Sequence, residues 1–178
     1  MARQVPQPSP SRMVDAPGRP LVVGIVPGQP ELVALTAASW GRAIGSSMLY
    51  FAYADPTRAV LAEHPDGSID HAPVDPDGAD DGWRAVQTDI EHFLGEVLHD
   101  VPWQFRYLAG RADRALTHLA RAVDAAGFVV GTRPPGPAAR VRHWLDGSVA
   151  VHLTHHQHRP VLVVPLQVID WTAPSPWA

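Results

Sequence analysis

The sequence predicts an α/β fold in which a parallel sheet of five strands is covered by helices on both faces. Three observations carry that prediction. Five short runs are apolar enough to sit inside a sheet: 21–26 (LVVGIV), 47–54 (SMLYFAYA), 102–108 (PWQFRYL), 128–131 (FVVG) and 161–164 (VLVV). Segments with helical apolar spacing lie between them. Each connection is long enough to cross over and re-enter the sheet in the same direction.

Taken in order, the first strand stops at Pro27-Gly28-Gln29-Pro30, a cluster that breaks regular structure. Residues 31–44 then repeat apolar positions at Leu32, Leu35, Ala38, Ala43 and Ile44, with Pro30 suited to the first helical position and Gly45 to the stop. After the second strand, residues 55–82 change character: they hold seven aspartates and read as a solvated acidic insertion. Within it, 59–63 and 68–72 fit a small hairpin around Pro65-Asp66-Gly67, because an Asp-Gly pair favours a tight turn. The acidic residues do not show the oxygen spacing of a calcium loop. Residues 83–98 are helical through Val86, Ile90, Phe93, Leu94 and Val97, and residues 111–125 through Leu116, Leu119, Ala120 and Val123. A polar loop rich in Gly, Pro and Arg follows Gly131, and helix resumes at Ser148 with Val149, His152 and Leu153 along one side.

Length and composition bound the function. A chain of 178 residues supports one domain, here assigned to 21–166, with tails at 1–20 and 167–178. The five prolines of 1–20 predict a disordered tail. No stretch has the length and apolarity of a spanning helix or a secretory leader, so the expected compartment is the cytoplasm, with no membrane partner. There is no cysteine, which excludes disulfides, thiol nucleophiles and thiolate zinc sites. All 14 basic residues are arginine, which excludes a catalytic lysine, and the net charge of -4 does not favour nucleic acid.

The chemistry-bearing positions gather late in the chain. Gly131 ends a buried strand, Gly136 gives the loop a permissive point, and Gly147-Ser148 opens a helix whose free N–H groups suit a phosphate. Arg133, Arg140 and Arg142 add positive charge. The same Ser148 also fits a plain helix cap without a ligand. His152, His155 and His156 have the spacing of metal ligands on a helix, yet without a hydrolytic glutamate no metal is assigned. More simply, one of these histidines packs against the sheet and the others meet solvent or a partner subunit. Ser148 with His152 four residues on does not make a nucleophile–base–orienter set, so no catalytic residue is assigned.

These motifs, in this order, resemble the universal stress protein family. The resemblance covers about residues 20–166 and rests on Phe128-Val129-Val130-Gly131-Thr132-Arg133, Gly136, Gly147-Ser148-Val149 and His158-Arg159-Pro160-Val161-Leu162-Val163-Val164-Pro165. It is closest to actinobacterial, single-domain members. It implies the strand order 3-2-1-4-5, in the manner of the adenine nucleotide alpha hydrolase-like folds. It further implies ATP, with magnesium when bound, held by Val26, Pro27, Gly28, Gly131, Arg133, Gly136, Gly147, Ser148 and Val149. The ligand would be regulatory, and the chain a stress-response protein that forms a homodimer through its last strand and contacts a further protein partner. Two departures stand out. Sixteen positions separate Gly131 from Gly147, longer than the family spacing, and Pro27 stands where nucleotide binders carry aspartate. They leave open a nucleotide-independent scaffold and, less directly, a weak ATPase.

Overall fold

The computed structural model describes residues 9–75, 77, 82–132 and 149–166. Along them run β1 (Leu21–Gly24), α1 (Leu32–Ala43), β2 (Leu49–Asp55), β3 (Arg58–Glu63), β4 (Ile69–Pro73), α2 (Gly82–Val97), β5 (Trp103–Ala109), α3 (Ala112–Ala122), β6 (Gly127–Gly131), α4 (Val149–His156) and β7 (Val161–Val164). β5, β2, β1, β6 and β7 form one sheet in that order, with every pairing parallel. Counted among themselves, these five strands have the expected order 3-2-1-4-5. Val22 of β1 lies between Tyr50 of β2 and Phe128 of β6, so β1 is central. Among the described residues no helix is long and apolar enough to cross a membrane.

Side chains alternate between two layers. α1 and α2 cover one face over Val23, Phe51, Phe105 and Val129, with Val33 and Leu94 as their fully buried contributions. α3 and α4 cover the other over Val22, Ala52, Leu108 and Phe128, through Leu116, Leu119 and Leu153. Each large apolar side chain removed from water in this way contributes about 1.5–3 kcal/mol.

α1 is rotated from its expected face. It buries Val33, Ala34, Ala37, Ala38 and Gly41, and it leaves Leu32 and Leu35 at 47% and 42% exposure. Small residues let the helix lie close to the sheet: a Cβ at Gly41 would stand 2.9 Å from Leu49 Cδ2. Pro30 and Glu31 precede the first helical residue, so Pro30 is not at the first helical position. The stop is as expected. Gly45 has φ +62°, its N–H donates to the Arg42 carbonyl, and the Ser46 N–H donates to the Gly41 carbonyl, which together close a Schellman cap.

One expectation needs correction and another needs extension. Of the N-terminal tail, residues 1–8 lie outside the described residues, and 9–20 are ordered: Pro10–Arg12 form a 3-10 turn, Ala16 packs on the core, the Gly18 N–H donates to the Ile44 carbonyl and Arg19 pairs with Asp124 at 2.8 Å. Proline disfavours a longer helix there but permits a short turn and an extended chain lying across the domain. The acidic insertion forms the expected hairpin and is largely exposed, but it also docks on the sheet. β3 and β4 pair antiparallel around Gly67 (φ +81°), whose Cα faces Leu119 and Ala122 of α3. Arg58 at the base is only 5% exposed. Its Nε donates to His71 Nδ1 at 2.6 Å, and His71 packs on Trp83 and Tyr107 with ring centroids at 4.9 and 5.2 Å. At the tip, Asp66 lies 3.8 Å from Arg106. The hairpin thus touches both faces of β5.

Candidate functional site

The chain turns to opposite sides of the sheet after β1 and after β6, and these strands are neighbours. Such a switch in strand order opens a crevice beyond the carboxyl ends of the strands. Two of the segments singled out in the sequence meet there. Residues 26–29 form a turn in which the Gln29 N–H donates to the Val26 carbonyl at 3.1 Å. Pro27 precedes Gly28, whose φ is +71°, the arrangement of a type II turn. Val26, Pro27 and Gly28 are exposed, and a Cβ at Gly28 would meet open space. Its glycine answers the backbone angle and not crowding.

Gly131 is the opposite case. A Cβ there would stand 2.7 Å from Gln29 Nε2, 3.0 Å from Leu166 Cδ1 and 3.1 Å from Val33 Cγ2. Close approach therefore explains this glycine. Gln29 was not singled out by its sequence, yet its side chain closes the crevice: Oε1 accepts the Val26 N–H at 2.9 Å while Nε2 lies over Gly131. The signal available was a lone amide between two prolines in a breaker cluster. Next to it, the Thr132 N–H donates to the Val164 carbonyl, and Thr132 Oγ1 accepts the Leu166 N–H, each at 2.8 Å. These bonds tie the ends of β6 and β7 together. Val149 opens α4 and packs into the α3 layer. Arg133, Gly136, Gly147 and Ser148 lie outside the described residues.

A second polar cluster stands at the ends of β2 and β5. Asp55 accepts hydrogen bonds from Thr57 Oγ1 at 2.6 Å, the Thr57 N–H at 2.8 Å and Tyr107 Oη at 2.5 Å. Burial alone would raise the Asp55 pKa, but these donors, with Arg58 nearby, hold it below the usual carboxylate range. Burial and the bond to Asp55 push the Tyr107 hydroxyl upward. The pair is far apart in sequence, and its only local signal was the Asp-x-Thr turn after the strand. The arrangement anchors the base of the hairpin.

On α4, His152 stacks on His156 with centroids 6.0 Å apart. Among the described residues no three His, Asp or Glu side chains gather as a metal site.

No protein-family model matches the chain, and no curated protein sequence matches it. Solved structures do. A universal stress protein from Archaeoglobus fulgidus is 18% identical, with a TM-score of 0.56, over 82% of this chain and 98% of its own. A structure of the Archaeoglobus fulgidus universal stress protein in complex with dAMP is 18% identical, with a TM-score of 0.55, over 82% and 97% of the two chains. A universal stress protein in complex with cAMP is 19% identical, with a TM-score of 0.53, over 85% and 100%. The fold of this chain is that of the universal stress proteins.

Proposed function

We propose that this chain is a cytoplasmic protein of the universal stress type that binds an adenine nucleotide, ATP in the first instance, at the crevice between β1 and β6. The observation that carries the reading is the convergence of the exposed Val26–Gln29 turn on the end of β6 at Gly131, at a strand-order switch. Similar folds in complex with dAMP and cAMP support it. The described residues fit the group in part. The exposed turn at Gly28 suits close approach by a flat ligand, whereas Gly131 is covered by Gln29, whose carboxamide a ligand would have to use or displace. Pro27 offers neither a side-chain acceptor nor an N–H, so no carboxylate from that position reaches a ribose or a magnesium ion. Phosphate and magnesium would fall to the 133–148 segment, with Ser148 as hydroxyl donor and Arg133 as charge. The ligand would act by favouring one conformation or assembly of the chain over another. The test is calorimetric titration of nucleotide-stripped protein with ATP and magnesium: saturable binding supports the reading, and no heat at millimolar ATP overturns it.

A nucleotide-independent scaffold is the second reading. Gln29 favours it, because its side chain already fills part of the crevice. Under either reading we propose a homodimer through β7. Among the described residues this strand pairs with β6 alone, and Val163 is 40% exposed on it. Bare edge strands pair readily with an identical edge across a two-fold axis.

A further inference from the structure

The β3–β4 hairpin does more than lean on β5. With α3 it encloses a cleft of about 280 Å³ at the carboxyl end of β5, on the far side of β2 from the switch-point crevice. Val60 and Ile69 of the hairpin, Leu108 of β5 and Ala115 of α3 make its apolar walls. Two of these four come from the insertion, so the cleft exists only because the insertion does.

The polar lining is not balanced. Glu63 Oε2 is met by His118 Nδ1 at 3.2 Å. Arg111 is met by Asp113, which stands outside the lining, through two bonds of 3.0 and 3.1 Å. Arg114, exposed on the cleft wall, has no carboxylate within ion-pair distance among the described residues. His118 Nε2 is buried with no hydrogen-bond partner. Gly110 has φ +81° and open space where a Cβ would stand, so the backbone at the cleft end is accessible. An apolar lining beside one surplus guanidinium selects an amphiphilic anion. At 280 Å³ the cleft falls just below the usual range of about 300–1,000 Å³ for drug-sized ligands, and one surplus cation is too few for a polyphosphate.

We propose that this cleft is a second binding site, separate from the switch point, for a small organic carboxylate. Its apolar body rests on Val60, Ile69, Leu108 and Ala115, and its carboxylate pairs with Arg114. The test uses benzoate as the probe, titrated into the full chain and followed by amide chemical shifts. Benzamide serves as the neutral isostere and phenyl phosphate as the alternative headgroup. Benzoate shifts the Gly110, Arg111 and Ala115 amides saturably and leaves Gly45 and Gly95 in place. Benzamide binds about tenfold more weakly, and Arg114→Gln weakens benzoate by about the same factor, the value of one charge-assisted hydrogen bond. Val60→Glu, at a position already 42% exposed, abolishes binding without unfolding the chain. Glu63→Gln binds benzoate at least as well as the parent chain. Absence of saturable shifts, equal binding of benzamide, or full affinity in Arg114→Gln would overturn the proposal. Tighter binding of phenyl phosphate than of benzoate would overturn the choice of carboxylate. No nucleotide is present in these titrations, so failure here leaves the switch-point reading standing.

Discussion

Replacing Gly131 by alanine inserts one methyl group at the most crowded point of the switch-point crevice. The new Cβ meets Gln29 Nε2 at 2.7 Å, Leu166 Cδ1 at 3.0 Å and Val33 Cγ2 at 3.1 Å. Gln29 Nε2 is the end of a flexible side chain and swings away, but moving it strains the bond from the Val26 N–H to Oε1. Leu166 and Val33 both pack on the core, so neither yields freely. Overpacking of this kind costs about 1–3 kcal/mol. For a domain of this size the melting temperature falls by about 2–4 °C per kcal/mol, so Gly131→Ala melts about 2–12 °C lower. Gln29→Ala alone loses one hydrogen bond and costs about 0.5–1.5 kcal/mol. In the Gly131→Ala background it costs less, because the same truncation removes the nearest clash. The double-mutant cycle therefore shows a coupling of about 0.5–1 kcal/mol in the direction of relief. Urea unfolding of the four proteins measures it. Strict additivity, or a Gly131→Ala protein as stable as its parent, would refute the claim that close approach and not backbone angle fixes this glycine.

Three other outcomes follow from the structure and sequence. Ser148→Ala weakens ATP binding by about 1–3 kcal/mol, the loss of a hydroxyl bond to a charged phosphate, and calorimetry against the parent chain measures it. Asp55 is held below its ordinary value of about 4, so its contribution to stability is present above that pH and is lost as pH falls through the lowered folded value. Urea midpoints measured from pH 7 to pH 3 accordingly fall less steeply in Asp55→Asn than in the parent; parallel profiles would contradict the Tyr107 and Thr57 bonds as the cause. Val163→Lys places a charge on the exposed β7 edge and shifts a dimer to monomer in sedimentation equilibrium at micromolar concentration, and an unchanged assembly would move the interface elsewhere.

Four of the strands were legible because buried parallel strands are written as unbroken apolar runs, β5 because its apolar residues alternate with Gln104 and Arg106, and the Asp66-Gly67 hairpin because its turn chemistry is local. Strand order was not written in the runs themselves and came through the resemblance carried by Gly131 and the segment after it. The face of α1 was misread because Leu32 and Leu35 are the larger hydrophobes, whereas proximity to the sheet selected the alanines and Gly41. Half of the switch-point crevice was visible at Pro27-Gly28 and Gly131. Gln29 was not, since its role depends on contact with a strand about a hundred residues later. The Asp55–Tyr107 pair, 52 residues apart, and the burial of Arg58 likewise arise only when the hairpin folds onto β5.

That hairpin has a bearing on how many chains can join. A sheet bare on both flanks can recruit a copy at each, and a row of such sheets has no natural end. Here the β3–β4 insertion straddles β5 and holds it from both faces, through His71 and Tyr107 on one and Asp66 and Arg106 on the other. Among the described residues β5 and β7 each pair with one strand of the sheet, but β5 alone carries the hairpin against its faces. A second chain approaching β5 would have to clear the hairpin on both of its faces, so edge addition is favoured at β7 and a row of sheets is disfavoured.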